Sequence, residues 1–174
     1  MNSSDEHNPK DIELMNIAID LARKAAQLGE VPVAAIITHN DKIIARAHNR
    51  RELDKDPTAH AEILAIKEAA KHIGDWRLEH CTIYVTLEPC PMCAGAIFLS
   101  RIERCVFGCF DPKAGFNGSL CNINDYEKLN HKYEVTPGVC SEICSQLLKD
   151  FFQEIRKKKK DKKRPLSESE QNKG

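Results

Sequence analysis

The stretch CTIYVTLEPCPMCAGAIFLSRIERCVFGC, residues 81–109, decides how the rest of the chain must be arranged. Residues 81–87 are β-branched and aromatic, which predicts a strand, and Pro89 stops it. After Pro91, MCAGAIFLSR predicts a helix, and RCVFGC, 104–109, predicts a second buried strand. A strand, a helix and a strand within 29 residues read as one layer of sheet covered by helix.

Working toward the N-terminus, HAEILAIKEAAKH, from about Ala59 to His72, has helical period and strong helix formers. Asp56-Pro57-Thr58 in front of it is a turn and helix-start signal. VPVAAIIT and KIIARAHN, separated by His39-Asn40-Asp41, read as a hairpin. Leu14, Ile17, Ala18, Leu21, Ala25 and Leu28 recur every three or four residues and predict an amphipathic helix over about 10–28, ended by Gly29. Toward the C-terminus, residues 111–125 read as a loop. A short strand is expected near Tyr133–Thr136, and a final helix from about Val139 runs into a basic tail. The order of elements predicts an α/β protein: a three-layer α/β/α sandwich with a mixed sheet and helices on both faces.

The chain has 174 residues, with 41% apolar and 30% charged side chains, which suits one soluble domain. That domain is expected over 1–157, with 1–9 flexible and 158–174 a basic, disordered tail. No apolar run approaches the roughly 20 residues of a membrane helix, and the polar, acidic N-terminus lacks the features of a secretory signal. The expected location is cytoplasmic, without a membrane partner. The eight cysteines are then read as reduced thiols, a minority of them metal-binding. The zero net charge conceals an asymmetry. Residues 1–155 carry 17 Lys/Arg against 23 Asp/Glu, a balance of −6, and residues 156–174 carry 9 against 3, a balance of +6. The basic end is either a solvated helix end with a loose tail or an arm for polyanions.

The chemistry-bearing residues are His60 and Glu62 in His-Ala-Glu, and Cys90 and Cys93 in Pro-Cys-Pro-Met-Cys. Imidazole and thiolate are ligands zinc prefers, and the two-residue gap lets both sulfurs face one ion. Three protein ligands leave a fourth position for water, whose pKa coordination lowers toward about 7. Both motifs lie where a helix is expected to begin, and a helix N-terminus favours thiolate. Glu62, two residues after His60, is placed to take a proton from that water and return it to ring nitrogen and leaving amine. A structural zinc half-site or a redox pair is the alternative for Cys-x-x-C alone. A Cys140/Cys144 pair at helical spacing, with Cys105 and Cys109 near a strand, reads as small buried apolar residues. Together, His-x-Glu and Pro-Cys-x-x-Cys are the pattern of zinc nucleobase deaminases.

With GEVPVAA, DPTAHAEILAI, YVTLEPCPMCAGAI, SRIERCVFG, FDPKAGFNGSL, NHKYEVTPGV and LLKDFF, the chain resembles the bacterial tRNA-specific adenosine deaminases of the cytidine-deaminase-like superfamily over about residues 10–157. The resemblance implies that superfamily's fold with a five-stranded sheet, one Zn2+ per subunit, a homodimer, and a tRNA anticodon loop as partner. It implies conversion of the wobble adenosine to inosine by zinc-hydroxide attack, with Glu62 as proton shuttle. It matches Asn49 to a base-pocket asparagine, and Val31 and Leu87 to apolar pocket walls. Asp111 and Lys113 match a loop at the ribose and phosphates, and Phe151 and Phe152 an aromatic pair near the RNA edge, for which core packing is the alternative. Ala34 stands where the family commonly has glycine, and Phe110 where it often has arginine. The zinc motif alone equally suits a deaminase of guanine, cytidine or deoxycytidylate. A non-catalytic RNA-binding subunit usually lacks the shuttle glutamate, which this chain keeps.

Overall fold

The computed structural model describes residues 7–162. Its elements are α1 (Pro9–Gln27), β1 (Ala34–His39), β2 (Lys42–His48), α2 (Arg51–Asp54), α3 (Ala61–Ile73), β3 (Cys81–Leu87), α4 (Pro91–Leu99), β4 (Arg104–Cys109), a 3-10 turn at Ile123–Asp125, β5 (Glu134–Thr136) and α5 (Ser141–Lys162). The five strands form one sheet in the order β2-β1-β3-β4-β5. β1 pairs antiparallel with β2 and β3, while β3, β4 and β5 run parallel, so the sheet is mixed.

Alternation along the strands sorts the core into two layers. Ala35, Ile37, Ile83, Val85, Cys105 and Phe107 pack with Ala61, Ala65 and Ala69 of α3 and Ile97 of α4. The intervening Ile36, Tyr84 and Val106 point the other way, onto Leu14, Met15, Ala18 and Ile19 of α1 and Cys144, Leu147 and Leu148 of α5. This is a three-layer α/β/α sandwich, as the order of elements predicts. Asn40 and Asp41 take φ of 47° and 63°, the left-handed pair that a two-residue hairpin turn demands. Asp11 ties α1 to β4: Arg104 donates to both its oxygens, at 2.9 and 2.7 Å, and Tyr84 Oη donates to it at 3.1 Å.

Three boundaries differ from the sequence expectation. Residues 49–59 hold a one-turn helix, α2, where only a polar turn was expected. It stands because Arg50 pairs with Asp54 at 2.8 Å and a buried carboxylate, Glu30, accepts Leu53 N–H at 2.7 Å. Within the start expected to be flexible, 1–9, Asn8 caps α1 by accepting from Lys10 N–H at 2.9 Å and Pro9 opens the helix. The tail expected to be disordered from 158 is helical through Lys162. Lys and Glu are good helix formers, and Glu154 and Lys158 pair one turn apart at 2.7 Å. The remainder of that tail, 163–174, and most of the N-terminal stretch, 1–6, lie outside the described residues.

Candidate active site

In sheets with parallel strands, ligands sit outside the carboxyl ends of those strands. β3 ends at Leu87 and hands the chain to Glu88, Pro89 and Cys90. Cys90 is the N-cap of α4, with Pro91 at its first position and Cys93 one turn inside. His60 is the N-cap of α3, with extended backbone at φ −76° and ψ 150°, and Glu62 lies in that helix's first turn. The approach to His60 is braced by Asp56, which accepts from Thr58 N–H at 2.8 Å and from its hydroxyl at 2.7 Å. Two helix N-termini therefore converge on one point.

There, His60 Nδ1 stands 3.7 Å from Cys90 Sγ and 3.6 Å from Cys93 Sγ. The three ligand atoms lie within 4.8 Å of one another, and among the described residues this is the cluster of His, Cys and acidic groups able to hold a metal ion. The Cys93 thiol donates toward Cys90 and, with His60, holds Cys90 down at about 4, while that same bond and burial push Cys93 far up. The bond to Cys90 raises His60. Glu62 is 4% exposed, and burial pushes its carboxyl up to about 7.

A cleft of ≈ 190 Å³ opens above this cluster. Of the residues singled out by sequence, Val31, Asn49, His60, Glu62, Leu87, Cys90 and Asp111 line it. Cys93 is fully buried beside the cleft. Lys113 is exposed on the loop next to Asp111, and Phe151 and Phe152, edge to face at 5.5 Å, also stand outside the lining. Phe151 is half-buried and Phe152 is 43% exposed, so neither belongs to the main core.

Sequence reasoning missed two buried carboxylates that hold the walls. Glu30, fully buried, accepts Asn49 Nδ2 at 3.1 Å through one oxygen and Leu53 N–H at 2.7 Å through the other, fixing the asparagine amide and α2 together. Glu88, 1% exposed, accepts the backbone N–H groups of Asp111, Asn117 and Ser119 at 3.0, 3.0 and 2.9 Å, and the Ser119 hydroxyl as well. It anchors the loop that brings Asp111 to the cleft. The loop passes so close that a Cβ at Gly115 would overlap the Glu88 carboxyl. Glycine in Asp-Pro-Lys-Ala-Gly was the available signal, since a backbone that approaches another group closely needs a residue without a side chain. Glu88→Ala strands several donors, each worth about 1–3 kcal/mol when buried without an acceptor. The expected result is a loss of about 3 kcal/mol in urea denaturation, together with reduced kcat/KM. Glu88→Gln, which keeps one acceptor oxygen, loses less in both.

The profile of the MafB19-like deaminases matches residues 10–156. The tRNA-specific adenosine deaminase of Bacillus subtilis (strain 168) is 55% identical over 154 residues, 88% of this chain and 96% of that protein. That of Haemophilus influenzae is 50% identical over 154 residues, 88% of this chain and 89% of that protein. A solved structure from studies of A-to-I editing by tRNA:A34 deaminases at the wobble position of transfer RNA superposes with a TM-score of 0.76 and 38% identity, covering 78% of this chain and 99% of that one. The span matched by that profile contains all five strands and the helix starts that carry His60, Cys90 and Cys93, and the chain belongs to the bacterial tRNA-specific adenosine deaminases, hydrolytic enzymes of the cytidine-deaminase-like superfamily.

Proposed function

We propose that the protein converts the wobble adenosine of a tRNA anticodon to inosine, with one zinc ion per subunit and Glu62 as the proton carrier. The observation that carries this reading is the convergence of His60, Cys90, Cys93 and Glu62 at a cleft whose walls include Asn49 and Asp111. Zinc suits the donor set. Bonds of about 2.3 Å to sulfur and 2.0–2.1 Å to nitrogen at a tetrahedral angle separate the two atoms by about 3.6 Å. Cys90 and Cys93 stand 3.7 and 3.6 Å from His60 Nδ1. When bound, the ion supplies a Lewis acid that makes water a nucleophile near neutral pH.

The protein's own groups do the rest. Glu62 takes a proton from the attacking water, passes it to N1 of the adenine as C6 becomes tetrahedral, and takes the second. That second proton goes to the amine as the C6–N bond breaks and ammonia leaves. A carboxyl raised toward neutrality by burial is suited to act as base and then acid within one cycle. Glu30 occupies one N–H of the Asn49 amide, and the other is available to the base. Val31 and Leu87 supply apolar walls for the flipped ring. Asp111 Oδ1 accepts the N–H groups of Lys113 and Ala114 at 3.0 and 3.2 Å, which steadies its carboxylate to accept from a ribose 2′-OH. Lys113 and the Phe151–Phe152 pair, outside the cleft, are assigned to nucleotides flanking the target.

A homodimer through α4 is part of the same proposal. That helix is apolar on all sides, Leu99 is 63% exposed, and Gly95 faces open space. The cellular location proposed is the cytoplasm, and no helix among the described residues is long and apolar enough to cross a membrane.

Incubation with total tRNA and sequencing of the derived cDNA tests the substrate. A-to-G changes at the wobble position are expected, with no ammonia released from free guanine, cytidine or deoxycytidylate. Activity on a free base or nucleotide without any wobble change overturns the tRNA reading.

A further inference from the structure

The last two turns of α5 carry Arg156, Lys157, Lys158, Lys159, Lys160 and Lys162 against the single acid Asp161, and all seven residues are exposed. We infer that this cationic end of α5 is an RNA-binding arm, which grips phosphates of the tRNA outside the nucleotide that enters the cleft. The inference rests on the tRNA reading above and adds a second contact surface to it. The profile of the MafB19-like deaminases ends at residue 156, where the run of lysines begins, so the feature lies beyond the segment this chain shares with that profile.

Placement supports the assignment. β5 runs parallel to β4, and Val139 N–H then reaches Phe107 O at 3.1 Å, so α5 begins beside the carboxyl-terminal half of β4. Cys144 sits against Gly108, where an added Cβ would meet its sulfur. Leu147 and Leu148 pack on the cluster that includes Leu87 and Cys109, the paired last residues of β3 and β4. That is the sheet edge at which Leu87 and Asp111 line the cleft. From Cys144 to Lys162 a helix rises about 27 Å, and Cys144 is the one residue of α5 that is buried. The helix therefore leaves the sheet near the cleft edge and carries its cations into solvent. The charge balance supplies a reason. A body with net charge −6 over residues 1–155 repels a polyanion, and the cations that offset it are concentrated from 156 onward.

Chemistry selects RNA over an anionic membrane. A helix that lies on a bilayer needs an apolar face to bury, and residues 156–162 offer none. Phosphate pairing needs only exposed cations. Lys158 is engaged by Glu154 at 2.7 Å, while no ion pair is formed by Lys157, Lys159, Lys160 or Lys162 among the described residues.

The test is a combined Lys157→Gln, Lys159→Gln, Lys160→Gln and Lys162→Gln variant, in which helix propensity is retained. Its affinity for intact tRNA is read by direct binding, independently of deamination. About a tenfold loss is expected near physiological salt, and the slope of log K against log salt flattens by about 0.7–0.9 for each phosphate contact removed. In turnover the loss falls on KM. The matching Lys→Arg variant retains wild-type affinity. Unchanged affinity and slope in the Gln variant overturn the arm, as does an equal loss in the Arg variant. Co-sedimentation with vesicles containing phosphatidylserine is expected to be absent. Vesicle binding by the wild type that disappears in the Gln variant, with tRNA affinity unchanged, overturns it in favour of a membrane contact. Failure of the substrate reading is separate, since it appears as tRNA left unedited by the wild type whatever its affinity.

Discussion

Glu62→Ala is expected to fold, to retain its zinc, and to deaminate at least about 10³-fold more slowly. General acid–base catalysis by a placed side chain contributes about 10²–10⁴-fold, and here one group is asked to move every proton in the cycle. Three carboxylates line the cleft, Glu62, Glu88 and Asp111. Both oxygens of Glu88 are occupied by loop N–H groups, and Asp111 is assigned to the ribose, which leaves Glu62, in the same helix turn as the His60 ligand, for the proton transfers. Zinc content measured by elemental analysis should match wild type, while single-turnover deamination of an anticodon stem-loop collapses. Normal turnover in this variant sinks the mechanism. Glu62→Gln, equal in shape, is expected to be as slow, which separates loss of the proton carrier from loss of packing. The pH dependence has a definite sign in the metal-free protein. Folded Glu62 titrates at about 7 against an ordinary 4.5, so the folded state binds the extra proton between those values. Its contribution to stability is whole below about 4.5 and is lost as pH rises through about 7. Urea midpoints of metal-free wild type should fall across that window, and Glu62→Gln should remove that part of the fall.

The layers of this fold were legible because local signals agree with tertiary demands. Asn40-Asp41 tolerates the left-handed turn that the hairpin needs, and the β-branched run 81–87 has helix on both faces. Strand order was less legible, since β3 lies beside β1 and not beside the nearer β2, a long-range choice made by the whole core. α2 escaped notice because a four-residue helix has no periodicity to read. It depends on Glu30, which is 23 residues from the Leu53 N–H it binds. The grouping of His60, Cys90 and Cys93 could be read in advance because metal ligation constrains residue type and spacing together. Asn49, Val31, Leu87 and Asp111 came only through family resemblance, and the cleft gathers all four. Glu30 and Glu88 were invisible for a plain reason. An acidic residue in sequence reads as surface, and only the return of a distant loop or turn supplies the N–H groups that let it be buried.

Cys93→Ala is expected to hold much less than one zinc per chain and to show no measurable deamination. The residue is fully buried with its sulfur 3.6 Å from His60 Nδ1, and alanine puts no donor atom in its place. Structural zinc sites of four ligands bind with about 10–16 kcal/mol at neutral pH, so one ligand in a set of three is worth several kcal/mol, a weakening of about 10³-fold or more. Protonation makes the effect depend on pH. In the metal-free cluster Cys90 is held as thiolate at about 4, whereas Cys93 keeps its proton and His60 is raised. Zinc requires both sulfurs as thiolates and the imidazole neutral. Binding must therefore expel the Cys93 proton, and a second from His60 as pH falls. Calorimetry in buffers of different ionisation enthalpy should record net proton release on zinc binding, growing as pH drops while affinity falls. Chelated wild type should regain activity when zinc is restored, and chelated Cys93→Ala should not. A variant that keeps stoichiometric zinc and turnover would remove Cys93 from the ligand set and leave the cluster without its buried sulfur donor.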